Sequence, residues 1–284
     1  VPKLNWLFSL FAIAGFSTIA LPVSGQALLP YTLNLDSEEL EQQGVALIQD
    51  AVQLVRFEQY DLALPRAKLA TQLAPNLFET WFVLGSLYVQ QREFDKGIEV
   101  LMKARAIAPE EPGIMFTLGS AYFQKENYDA AVKELETGLK LDPEATEALF
   151  DLGNSYLMLK RYSESIAVYE RAIAQDEEFW PAINNIGLVK YEQGDISGAI
   201  QHWRNSVTID PEAAEPQLAI AVALYTQGQQ QEGLKLGEAA LSLDRKYADL
   251  EFLKENLWGE RLLGDTQRFL ATPEIQAVIE RFQS

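Results

Sequence analysis

LGSLYVQQREFDKGIEVLMKARAIAP, residues 84–109, returns 34 residues later as LGSAYFQKENYDAAVKELETGLKLDP (118–143) and again as LGNSYLMLKRYSESIAVYERAIAQDE (152–177). A fixed period of this size marks one supersecondary unit repeated along the chain, each copy burying its apolar face against the next. Working outward, prolines stand at Pro75, Pro109, Pro143 and Pro211, with Glu177 in the one skipped place. Setting them at position 32 of each unit aligns the other columns. Position 8 reads Ala51, Gly85, Gly119, Gly153, Gly187, Ala221. Position 17 reads Tyr60, Phe94, Tyr128, Tyr162, Ile196, and position 18 reads Asp61, Asp95, Asp129, Ser163, Ser197. The pattern predicts two helices per unit, A and B. The small residue at 8 lets them approach, while Tyr88, Tyr122 and Tyr156 at position 11 and the aromatic at 17 fill the space between. Asp or Ser at 18 suits the N-cap of helix B, and proline at 32 suits the first turn of the next helix A.

These columns resemble the tetratricopeptide repeat (TPR). The resemblance covers residues 44–247 as six repeats: 44–77, 78–111, 112–145, 146–179, 180–213 and 214–247. Repeat 1 lacks the helix A signature, and repeat 6 is loose, with Gly233 and Gly237 in its helix B. Residues 248–284 read as C-terminal capping helices: one around 248–263 stopped at Gly264, a turn near 266–270, and a last helix opened by Thr272 and Pro273.

The N-terminus is a different polymer. After Lys3 no charged side chain appears until Asp36, and residues 4–23 are almost wholly apolar. Twenty helical residues reach about 30 Å, the thickness of a bilayer core. Residues 1–25 are therefore expected to be a transmembrane anchor or, alternatively, a signal peptide cleaved near Gly25. Residues 26–43 would form the linker. The expected fold class is all-α, a TPR superhelix (α-solenoid) with one N-terminal transmembrane helix and C-terminal capping helices.

Composition limits the chemistry. The chain of 284 residues carries 23 Lys+Arg against 41 Asp+Glu, a net charge of −18, which excludes the basic face that a phosphate backbone needs. With no cysteine and one histidine, thiolate catalysis, cysteine-ligated zinc and a histidine metal site have no residues to build on. No phosphate loop or nucleophile elbow is present. The expectation is a non-catalytic protein without cofactor or metal, acting by binding a protein client.

The TPR resemblance implies that helix A positions 2, 5, 6, 9, 12 and 13 line a concave groove. Those columns supply Phe82, Phe116, Phe123, Phe150, Asn154, Asn184, Asn185, Tyr191 and Tyr225 as candidate contact residues. Aromatic anchors on a rigid concave surface are what binding hot spots are made of. The alternative is that they pack between neighbouring helices. Asn184 and Asn185 are similar to the asparagines that hold a peptide backbone in some TPR proteins. Co-chaperone TPR domains hold a chaperone carboxylate with Lys, Arg and Asn. Here Glu79, Ser86, Gln90, Ser120, Gln124, Glu147, Asp151 and Asn154 occupy comparable places, so the basic residues of the chaperone carboxylate clamp are absent.

The tail FLKENLWGERLLGDTQRFLATPEIQ, residues 252–276, resembles that of membrane-associated TPR proteins of cyanobacteria and plastids. That resemblance implies a single-pass protein of the cyanobacterial thylakoid membrane. Its client would be light-dependent protochlorophyllide oxidoreductase or a photosystem assembly intermediate. The competing expectation is an exported periplasmic or lumenal TPR protein of an envelope complex.

Overall fold

A computed structural model describes residues 36–281. They are helical throughout, with no strand among the described residues. Twelve helices form six hairpins: α1 (Ser37–Arg56) with α2 (Tyr60–Leu73), α3 (Phe78–Gln90) with α4 (Phe94–Ile107), and α5 (Pro112–Gln124) with α6 (Tyr128–Leu141). They continue as α7 (Thr146–Met158) with α8 (Tyr162–Gln175), α9 (Trp180–Gln193) with α10 (Ile196–Ile209), and α11 (Ala214–Thr226) with α12 (Gln230–Leu243). A 3-10 turn (Arg245–Ala248), α13 (Leu250–Glu255), α14 (Glu260–Leu270) and α15 (Pro273–Arg281) follow. Among the first five hairpins each odd-numbered helix touches the next, α1 to α3 through α7 to α9. The odd-numbered helices therefore form the inner wall of the stack.

The membrane expectation is corrected. Among the described residues no helix is long and apolar enough to cross a membrane. Residues 4–23, on which the single-pass thylakoid placement rested, lie outside the described residues. Helix α1 begins at Ser37, inside the stretch expected as linker.

The four middle hairpins are each packed by one knob-in-hole contact, in which the glycine at position 8 faces the position-24 side chain of helix B. A Cβ on Gly153 would lie 2.4 Å from the Tyr169 ring, and one on Gly187 would lie 2.4 Å from the Trp203 indole. Tyr169 and Trp203 are fully buried there. Burying such a side chain is worth on the order of 2–3 kcal/mol.

The turns correct two assignments. Helix B starts at position 17, so its N-cap is position 16. There the Asn127 and Asp195 side chains accept from the backbone N–H groups of Ala130 and Gly198, at 3.3 and 2.9 Å. The position-18 acids lie one residue inside, in the first turn, where the helix dipole favours them. The position-32 prolines follow the C-caps of helix B, such as Asp142, instead of opening helix A. Between A and B, position 15 is left-handed in every repeat: Glu58, Arg92, Glu126 and Lys160 at φ 57–61°, then Gly194 and Gly228 at 88° and 87°.

Candidate functional site

The inner wall divides into a filled half and an open half. In repeats 5 and 6 it is filled by the protein's own tail. Helix α14 packs on both α9 and α11. The Tyr191 hydroxyl donates to Asp265 at 2.5 Å, and the Arg261 guanidinium lies 5.6 Å from the centre of the same ring. The Glu192 carboxylate accepts from the backbone N–H groups of Arg261 and Leu262, at 3.2 and 3.0 Å, and so caps the N-terminus of α14. Glu215 accepts the Trp258 indole N–H at 2.9 Å. Tyr225 meets Phe269 edge-on, centroids 5.4 Å apart. Positions 2, 12 and 13, three of the six groove positions, are thus occupied by the tail in these repeats.

The sequence carried signals for this closure. Helix α11 is apolar all round, and Ala214 through Leu224 are all buried, which requires cover on every face. Gly237, which made repeat 6 look loose, leaves a hole that Phe269 fills: a Cβ there would lie 2.4 Å from its ring. The tail itself breaks differently than expected. Gly264 lies within α14, and the Thr272 hydroxyl donates back to the Phe269 carbonyl at 2.8 Å instead of capping α15.

Burial makes Glu215 a weak acid. Its carboxyl is pushed up to about 7, because removal from water outweighs the hydrogen bonds from Trp258 and Asn184. Burial likewise raises the Tyr191 phenol, and the bond to Asp265 adds to the shift.

The asparagines form an internal network. Asn154 Oδ1 accepts from the Tyr169 hydroxyl at 2.6 Å and from Asn185 Nδ2 at 2.9 Å, and Asn185 Oδ1 accepts from Asn184 Nδ2 at 3.1 Å. All three are buried and tie repeat 4 to repeat 5, and Asn184 Oδ1 is left without a hydrogen-bond partner. Phe150 is wedged between Tyr169 and Phe179, centroids 5.8 and 5.3 Å away, and Phe116 packs against α6 at Gly138. These position-5 rings belong to the seams between helices.

What remains open is the inner wall of repeats 1 to 4. Phe82 borders an apolar hollow of about 260 Å³ with Val52, Val55 and Tyr60. Phe123, edge-on to Tyr128 at 5.3 Å, borders a larger cavity of about 780 Å³ whose far wall is α13. Of the nine expected contact residues, Phe82 and Phe123 line open space. Tyr191 and Tyr225 sit under the tail, Asn154, Asn184 and Asn185 are buried, and Phe116 and Phe150 are half-buried in the seams between helices. Among the described residues no group of side chains is arranged to hold a metal ion.

Family models place the repeats in this chain. A model described as "Tetratricopeptide repeat" matches residues 116–178, one described as "TPR repeat" matches 187–228, and one for "ChAPs (Chs5p-Arf1p-binding proteins)" matches 31–108. No curated protein sequence matches the chain. Among solved structures, MamA is similar at 25% identity, covering 58% of this chain and 96% of its own, TM-score 0.53. YrrB, "a TPR protein with an unusual peptide-binding site", is similar at 19% identity, covering 67% and 95%, TM-score 0.54. The pilF protein of Pseudomonas aeruginosa is similar at 16% identity, covering 77% and 97%, TM-score 0.63. Columns, hairpins and these matches agree: the described part of the chain is a TPR solenoid.

Proposed function

We propose that this protein is a non-catalytic scaffold that holds a segment of a protein partner on the inner wall of repeats 1 to 4. One observation carries the reading: the tail already does this in repeats 5 and 6. There the groove positions bind a helical segment through Tyr191, Glu192, Glu215 and Tyr225. The earlier repeats offer Phe82 and Phe123 from the same wall beside unfilled space. A peptide-binding site on YrrB, a structure of the same fold, is in keeping with it. A chlorophyll-synthesis enzyme as the partner would rest on the tail resemblance alone. The tail's Trp258, Asp265 and Phe269 are accounted for by their packing.

The test is site-specific photocrosslinking in the producing cell. A benzoylphenylalanine at position 123 is expected to capture a defined protein partner. The same probe at Thr137, exposed on α6, captures none. Equal capture at both sites, or crosslinks from position 123 only to the protein's own tail, would refute the scaffold reading.

A further inference from the structure

The two halves of the inner wall differ in how their carboxylates are satisfied. In the filled half the occupying tail supplies the donors: backbone N–H groups to Glu192 and an indole N–H to Glu215. In the open half, carboxylates at groove positions 2 and 6 lack such donors. Glu79, at position 2 of repeat 2 as Glu215 is of repeat 6, has a buried Oε2 without a hydrogen-bond partner. Asp151, at position 6 of repeat 4, is half-buried. Among the described residues no ion pair or side-chain hydrogen bond reaches its carboxyl. Glu79 Oε2 is a buried acceptor left unpaired, so an occupant that brings a donor gains there.

Asp151 opens into the cavity that Phe123 borders. At about 780 Å³ the cavity is of a size that admits several side chains. Phe123, Tyr128, Met158 and Leu257 give it apolar walls. Its charged groups are the carboxylates of Glu126, Asp151, Glu251 and Glu255 against the cations of Arg92 and Lys254. Lys254 is already 3.9 Å from Glu251, which leaves Asp151, Glu126 and Glu255 against the single cation of Arg92.

We infer that this cavity seats a basic segment of the protein partner: a Lys or Arg flanked by apolar residues, its cation on Asp151 and its stem against the Phe123 ring. The inference rests on the scaffold reading and narrows it. A cation placed beside an aromatic face and a partly desolvated carboxylate gains from both. An acidic segment would meet three carboxylates against one cation, Arg92.

The carboxyl of Asp151 supplies a second signature. Burial, then the charge of Glu147 on the same helix, pushes it up to about 6. The charges facing it from other elements are Glu126 and Arg92 from the turns, and Glu251, Lys254 and Glu255 from the tail. A cation binds the ionised form, so affinity is lost as pH falls through about 6.

The experiment displays a random dodecapeptide library to the full chain at pH 7.5 and sequences what is retained. Peptides with Lys or Arg next to apolar residues are expected to be enriched. Synthesised and titrated, the best of them should weaken about tenfold or more when its cations become Gln. It should weaken similarly in Asp151→Asn, where the fall in affinity below pH 6 should also vanish. Asp151→Asn removes a desolvated charge and should keep or raise stability, which separates lost binding from lost folding. Glu255→Gln, on the exposed wall, gives a second and milder loss. Enrichment of apolar peptides without basic residues, still lost in Phe123→Ala, overturns the charge assignment and keeps the groove. Enrichment of acidic peptides overturns it as well. No enrichment, or enrichment indifferent to Phe123→Ala, overturns both the inference and the scaffold reading.

Discussion

Glu215→Gln tests how the tail is held. In the folded protein Glu215 is 8% exposed and its carboxyl is pushed up from 4.5 to about 7. An acid that is weaker when folded than when unfolded costs stability as pH rises. Below about 4.5 both states hold the proton and there is no cost, and above about 7 the folded state bears all of it. The shift corresponds to about 3 kcal/mol, with a little under half of it appearing between pH 6 and 8. Glutamine keeps an acceptor for the Trp258 indole N–H and cannot ionise.

The assay is urea unfolding followed by tryptophan fluorescence at pH 5.5, 7 and 8.5, since Trp258 lies in the seam that should loosen. Hydrogen exchange along α14 would show whether the tail undocks before the repeats unfold. The variant should match the wild type near pH 5.5 and exceed it by about 2 kcal/mol at pH 8.5, allowing for the weaker bond to a neutral acceptor. Asp151 titrates mainly below this window, with the same sign, and cancels in the comparison. Parallel pH curves for the two proteins, or a variant weaker at every pH, would refute the account of Glu215 as a buried, largely uncompensated carboxyl.

Two further predictions concern the repeats. Glu58→Gly relieves a left-handed residue that carries a side chain and should stabilise the protein by about 0.5–1 kcal/mol, whereas Gly228→Ala should cost about 1 kcal/mol from the backbone alone, since nothing lies near the added Cβ. Urea midpoints measure both, and equal signs would exclude the backbone explanation. Phe116→Ala and Phe150→Ala should each lower stability by about 2 kcal/mol or more, because their rings fill seams between helices. If chemical denaturation shows both variants as stable as the wild type while ligand binding falls, those rings belong to the groove after all.

The sequence by itself determined the six hairpins and their register. A repeat's contacts are made within itself and with its nearest neighbour, so each recurs every 34 residues and shows as a column. The glycines at position 8 and the aromatics at 17 could be read in this way. The cap at position 16 forms no column because its residues vary: Gln59, Glu93, Asn127, Arg161, Asp195 and Gln229. Which groove residues are free was decided only by the tertiary structure. Tyr191 and Asp265 lie 74 residues apart, and Glu215 and Trp258 lie 43 apart. Such contacts occur once and have no period to reveal them. Phe123 and Tyr191 occupy the same column and look alike in sequence. One borders a cavity and the other is sealed under α14, because the chain turns back over its last two repeats and ends its cover at the third and fourth.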